Sequence, residues 1–218
     1  MPWEEKAGTI LWSYYAGMES GTALAGILTG RINPSGKLAE TFPRVYEDTP
    51  TGHNGQFGRD DMVCYEEEIM VGYRHYEKND ILPMFCFGHG LSYTEFAYHD
   101  LQVKQDNDAK DRVSISFDIE NVGQIDGREI VQIYVRDEEC TVIRPEKELK
   151  AFKSITLKAG SVCRVEITLD SMAFSFYDEK KHDFCVEPGI FEICVGNSMQ
   201  NILLHQKIEY PNCSKQNV

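Results

Sequence analysis

The sequence predicts a mainly β chain, an antiparallel β-sandwich preceded by a partial α/β segment of one strand and one helix. Three observations carry this reading. Val113, Ile115, Phe117 and Ile119 alternate with Ser114, Ser116 and Asp118, the period of a half-buried strand. Similar short runs recur at ~8–12-residue spacing through the C-terminal half, separated by turn residues. Near the start, Ala23, Leu24, Ile27 and Leu28 fall in the i, i+1, i+4, i+5 pattern of one helix face.

Residues 9–15 are apolar and aromatic and lie between Gly8 and Gly17, which predicts a short buried strand. The helical pattern follows over 17–29, and Gly30 suits a left-handed C-cap. Asn33-Pro34-Ser35-Gly36 is a turn signal, after which the chain runs extended to Phe42-Pro43. One strand–helix unit cannot cover both faces of its strand. Residues 1–45, read as the terminal piece of an α/β domain, are therefore expected to leave Ile10, Leu11, Trp12, Tyr14, Leu24, Ile27 or Leu28 uncovered.

Residues 46–96 read as an ordered linker with a short helical or extended stretch at 69–76. Phe85, Phe87, Leu91, Tyr93 and Phe96 are expected to pack one domain on the next. Over 97–210 the strands are expected at 113–119, 130–135, 149–157, 163–169, 172–177, 184–186, 190–195 and 202–210. Lys158-Ala159-Gly160, Glu187-Pro188-Gly189 and Gly196-Asn197-Ser198 supply turns between them. This is the spacing of an immunoglobulin or fibronectin type III-like sandwich. The Cys…Trp…Cys spacing of true immunoglobulin domains is missing, because both tryptophans, Trp3 and Trp12, lie near the start. Residues 211–218 are polar and expected to fray.

Among 218 residues, 22 Lys and Arg stand against 35 Asp and Glu, a formal charge of −13. That balance excludes nucleic acid and an anionic membrane surface as partners. No apolar run approaches the ~20 residues that span a bilayer, and no secretion signal is visible. A cytoplasmic location is the expectation. The seven cysteines, at 64, 86, 140, 163, 185, 194 and 213, form no zinc-type spacing and read as reduced thiols. Cys185 and Cys194 flank the Glu187-Pro188-Gly189 turn, and whether they pair across a hairpin is left open.

No G-x-S-x-G elbow, phosphate-binding glycine loop or H-x-x-x-H arrangement occurs. The sequence therefore nominates no catalytic residue, no cofactor-binding residue and no metal ligand, and no cofactor is expected. His89, between Gly88 and Gly90, reads as a packed or a loop histidine rather than a ligand. The acidic runs Glu66-Glu67-Glu68 and Asp137-Glu138-Glu139 read as solvated faces. Tyr65, Tyr73, Arg74, His75 and Tyr76 fit either sugar-ring stacking or a domain-interface patch, with the interface favoured by the residue types.

Longer motifs add a family resemblance. Residues 33–43 (NPSGKLAETFP) resemble the signature closing the α/β sandwich domain of glycoside hydrolase family 3. Residues 65–76 (YEEEIMVGYRHY) and 83–96 (PMFCFGHGLSYTEF) resemble that family's linker into its fibronectin type III-like domain. Residues 120–137, 144–160 and 174–198 resemble that domain itself. The chain departs from the family pattern at Ala16-Gly17-Met18-Glu19-Ser20-Gly21, where Pro-Gly-Gln-Glu-Gly-Gly is usual. It departs again at Glu68, where Gly is usual, and at Cys86, where Pro is usual.

The resemblance implies a retaining, exo-acting β-glucosidase-type enzyme. In that family the nucleophilic Asp sits on an N-terminal (β/α)8-like barrel and the acid/base Glu lies earlier in the α/β sandwich. Neither position falls within residues 1–218, so the chain is expected to be inactive alone, as a fragment or as one half of a two-chain enzyme. Its expected partners are the barrel and the remaining α/β sandwich, with a homo-oligomer and contact with a glucoside or oligosaccharide as further expectations. The alternative is a non-catalytic carbohydrate-contacting or dimerisation module, which an exposed aromatic platform would favour.

Overall fold

The computed structural model describes residues 1, 3–55, 58, 64–105 and 111–210. Two antiparallel sheets face each other. One has the order β1 (Phe96–Gln105), β2 (Val113–Asn121), β5 (Val162–Leu169). The other has the order β4 (Glu148–Leu157), β3 (Gly127–Asp137), β8 (Gly189–Gly196), β9 (Ile202–Tyr210). A separate hairpin joins β6 (Phe176–Asp178) to β7 (Asp183–Cys185). The mainly β sandwich expected from the alternation is thus present.

The inward side chains of β2 (Val113, Ile115, Phe117, Ile119) meet those of β3 and β8 in one continuous core. Phe174 stacks on Tyr210 at 4.4 Å and closes one end of it. At one margin the sheets are joined by Gln206 on β9: its amide donates to the Val103 carbonyl on β1 and accepts from the Val103 N–H.

Asn121, wholly buried at the end of β2, is the polar knot of the other end. Its Oδ1 accepts from Thr94 Oγ1 at 2.6 Å and from the Gly123 N–H at 3.1 Å. Its Nδ2 donates to the carbonyls of Ile125 and Leu157. Gly123 must lack a side chain, since a Cβ there would lie 2.0 Å from Thr94 Oγ1.

Several expectations require correction. Residues 9–15 form no strand: the Trp12 ring meets Phe42 at 5.1 Å, but no described segment pairs with their backbone in a ladder, and Trp12 and Tyr14 are half exposed. Helix α1 (Ser20–Leu28) does form, and Gly30 takes the predicted left-handed turn at φ +72°. On its apolar face Leu24 and Leu28 stay exposed, whereas Ile27 is partly buried. The strand expected at 172–177 is a 3-10 turn (Ser171–Ala173) followed by β6, because Asp170 caps the Met172 N–H and starts the turn.

β1 carried no clear signal in the sequence. A bulge at Asp100, with φ +53° and a register break between His99 and Gln102, interrupts its alternation. Cys185 and Cys194 are both free: β7 pairs back onto β6, whereas β8 pairs with β3 and β9. The expected fraying of 211–218 lies outside the described residues, as does Cys213.

The linker folds around His75. Helices α2 (Pro50–Asn54) and α3 (Tyr73–Lys78) are both short. His75, buried on α3, donates from Nε2 to the Asp48 carbonyl at 3.1 Å, while Nδ1 accepts from Asn79 at 3.2 Å. Burial is the main influence holding its pKa below the ordinary 6.5; the Asp48 carbonyl acts against it, and nearby His53 acts with burial.

Two outcomes follow. Asn121→Ala, which removes the side-chain partner of Thr94 Oγ1, of the Gly123 N–H and of two carbonyls, lowers unfolding free energy by about 2–3 kcal/mol in denaturant titration. A folded pKa below the unfolded one means that His75 contributes stability fully above about 6.5 and loses it as pH falls through the lower folded value. Protection of the amides at 46–55, corrected for intrinsic exchange, should fall between pH 7.5 and 5, and less so in His75→Gln.

Candidate functional site

The site that the fold assembles is a joint between residues 33–42, the linker strap 83–93 and the sandwich. The Asn33 side chain accepts from Ser92 Oγ at 3.0 Å and the Tyr93 N–H at 2.8 Å. It donates to the Asp126 carbonyl at the mouth of β3. Arg128 Nε donates to Ser35 Oγ at 2.8 Å. Lys37 Nζ reaches both the Gly90 carbonyl and Glu129 Oε1 at 2.9 Å. That ion pair is nearly dry, with the two side chains 10% and 5% exposed. The Leu38 N–H donates to the His89 carbonyl and the Gly88 N–H to the Leu38 carbonyl, both at 2.8 Å. Phe42 and Phe85 continue the ladder as an antiparallel bridge.

Gly88-His89-Gly90 is therefore a packing motif. A Cβ on Gly90 would lie 2.2 Å from the Gly36 carbonyl oxygen. Gly88, at φ +79°, lies against Gln132, whose amide donates to the Gly88 and Asn197 carbonyls and accepts from the Tyr134 hydroxyl at 2.6 Å. His89 stacks on Phe85 at 5.4 Å, and burial, with the neighbouring Lys37 charge, holds its pKa below 6.5. This is the packed histidine expected from the sequence. Of the five apolar residues expected to join the domains, Phe87 meets Tyr73 and Phe96 meets the sandwich core, whereas Leu91 is exposed.

The Tyr65–Tyr76 cluster divides. Tyr73 accepts from the Leu149 N–H through its hydroxyl at 2.9 Å, and its ring lies 5.0 Å from Phe87 and 6.1 Å from Tyr134. Arg74 pairs with Glu148 at 3.0 Å, and Glu77 pairs with Lys147. Tyr76 is buried beside His75. α3 thus docks the linker on β4, the interface arrangement favoured by the residue types. Tyr65 stays exposed and apart.

Beside α3 a cleft of about 630 Å³ opens between residues 66–70, residues 142–150 and the β6–β7 hairpin. Arg144 lies buried in it, donating to Asp137 at 2.9 Å, to Glu148 and to the carbonyls of Phe174 and Ser175. The run at 137–139 is therefore not one solvated face: Asp137 is buried as the partner of Arg144, because a guanidinium that deep needs a carboxylate. Glu66-Glu67-Glu68 edges the same cleft. Burial pushes the Glu148 carboxyl upward, but Lys150, Arg74 and Arg144 together hold it below the usual carboxylate range.

Among the described residues no group of three or more His, Cys, Asp or Glu side chains is placed to hold a metal ion. Sequence reading missed Gln132 and Glu129, although a polar side chain within the apolar run of β3 is a readable sign of a buried partner. It missed the cleft altogether, since the lining residues come from four separate segments.

The glycosyl hydrolase family 3 C-terminal domain model matches residues 1–93, and the fibronectin type III-like domain model matches residues 129–199. The chain is 45% identical over 209 residues to thermostable beta-glucosidase B of Acetivibrio thermocellus, covering 95% of this chain and 28% of that protein. A family 3 β-glucosidase structure from Bifidobacterium adolescentis superposes with TM-score 0.90 at 36% identity, over 95% of this chain and 30% of that one. β-Glucosidase 3B from Thermotoga neapolitana, solved with glucose, gives 0.89 at 36% identity, over 97% and 29%. The chain spans less than a third of the length of these relatives. With both halves matched in the family's own order, the chain belongs to glycosyl hydrolase family 3 and corresponds to the C-terminal portion of its β-glucosidases.

Proposed function

We propose that this chain buttresses an exo-acting, retaining β-glucosidase-type hydrolase that cleaves O-glycosidic bonds in the cytoplasm, and that it hydrolyses no glycoside by itself. In this reading residues 1–45 complete an α/β domain, 46–96 form the linker, and 97–210 form the sandwich that holds both in place. Both catalytic carboxylates reside on the barrel and α/β portions found in the longer relatives, supplied by the same polypeptide or by a second chain.

The joint carries this reading. Lys37–Glu129 and the hydrogen bonds of Asn33 and Leu38 fix residues 33–42 to a rigid sandwich, yet α1 and residues 3–32 keep an uncovered apolar surface. Trp12 and Leu28 on that surface fit burial against the rest of an α/β domain.

Three measurements test it. The purified chain should show no hydrolysis of an aryl β-glucoside, and should restore turnover when mixed with the upstream portion of the Acetivibrio thermocellus relative. Turnover by the chain alone, abolished by changing one of its own carboxylates, would overturn the reading. Hydrogen exchange at 8–30 should be fast in the isolated chain and slow in that mixture. Lys37→Met, which leaves Glu129 buried without its counterion, should lower stability by about 3–5 kcal/mol and weaken protection of 83–93.

A further inference from the structure

We propose that the cleft between the linker and the β6–β7 hairpin is an accessory binding site for a neutral saccharide chain. Its wall carries Tyr177 and Phe184, cross-strand partners whose rings meet edge to face at 5.4 Å. Both remain about half exposed, at 51% and 53%. A two-stranded hairpin is marginal in water unless its apolar side chains are covered, yet this one leaves two of its three cleft-lining rings half exposed.

The hairpin is held by other means. Asp178 accepts from the Lys180 N–H at 2.9 Å and pairs with Lys181 at 2.8 Å across the turn. Arg144 grips the carbonyls of Phe174 and Ser175 just ahead of β6, and its guanidinium carbon lies 5.9 Å from the Phe176 ring centre. The base is fixed while the rings are presented, an arrangement that lowers the entropic penalty of engaging a ligand.

The polar floor selects the ligand's charge. Arg74, Arg144 and Lys150 all converge on Glu148, and Arg144 also pairs with Asp137, so each of these cations already has a carboxylate partner. Around the whole cleft six carboxylates face five cations, close to neutrality in a chain of formal charge −13. Neither an anion nor a cation finds a strong opposite field, since the lining carries one net negative charge. Flat aromatic walls beside a polar floor rich in donors and acceptors match a pyranose, which has apolar C–H faces and a hydroxyl rim. The preference for a saccharide over another neutral polyol rests on the proposed glycosidase role; the site itself uses only residues of this chain.

Titration of the chain with cellotetraose, followed by tyrosine fluorescence and amide NMR shifts, tests this without turnover. Saturable shifts should centre on residues 142–150 and 176–184. Tyr177→Ala or Phe184→Ala, with circular dichroism unchanged, should weaken binding by about tenfold or more. Phe152→Ala, at an exposed ring on the edge strand β4, should leave binding unaltered. Absence of saturable shifts, shifts indifferent to both ring variants, or equal binding of myo-inositol would each overturn the site. Binding without complementation in the mixing experiment would sink the hydrolase reading and leave this one standing; complementation without binding would do the reverse.

Discussion

A single buried ion pair sets the geometry on which the rest depends. An ammonium and a carboxylate both withdrawn from water tolerate little separation, because each alone carries a desolvation penalty of several kcal/mol. Lys37 must therefore sit within a hydrogen-bond length of Glu129 and, through the same nitrogen, of the Gly90 carbonyl. That condition brings three chain segments to one point. It also explains Gly90: the backbones at 36 and 90 approach so closely that a methyl group at position 90 has no room beside the Gly36 carbonyl.

The sandwich supplies the fixed frame for this contact. β3 is its central element, paired on both sides and carrying Glu129, Gln132 and Tyr134 toward the joint and Val131, Ile133 and Val135 through the core. Plain alternation puts Gln132 and Tyr134 on the face opposite Val131, Ile133 and Val135, and the register break beside Ile133/Tyr134 is taken up on β4, where Lys150 is the extra residue. On the far side of α3, the same rigidity places Arg144 beneath the β6–β7 hairpin and shapes the cleft.

Much of this was legible from the residues. Period-two alternation located β2, β5 and β9, because each buries one face; the apolar run of β8 between turn residues located a strand buried on both faces, and Gly30 marked the end of α1. The bulged strand β1 was not legible, since a single left-handed residue at Asp100 shifts every later side chain to the opposite face. Residues 9–15 misled for a different reason: their composition suits a central strand, but a strand needs neighbours that the described residues do not provide. The resemblance also marked a site of backbone tension. Glu68 stands where the family favours Gly, and it adopts φ +52°, a conformation that ordinary side chains resist by roughly 1–2 kcal/mol. The joint was visible as the NPSGKLAETFP and FGHG motifs, yet the ion pair that ties the first of them to β3 was not, because Glu129 lies more than ninety positions from Lys37.

The seam also carries its own reporters. Cys86 on the strap and Cys194 on β8 lie in one small apolar cluster with Tyr134 and Met199. Burial pushes the Cys194 thiol up to about 11, so it stays protonated and chemically quiet while the cluster is closed. Any event that lifts the strap from the sheet wets both sulfurs together. An alkylating reagent would then record how often the two parts come adrift, with no label added to the molecule.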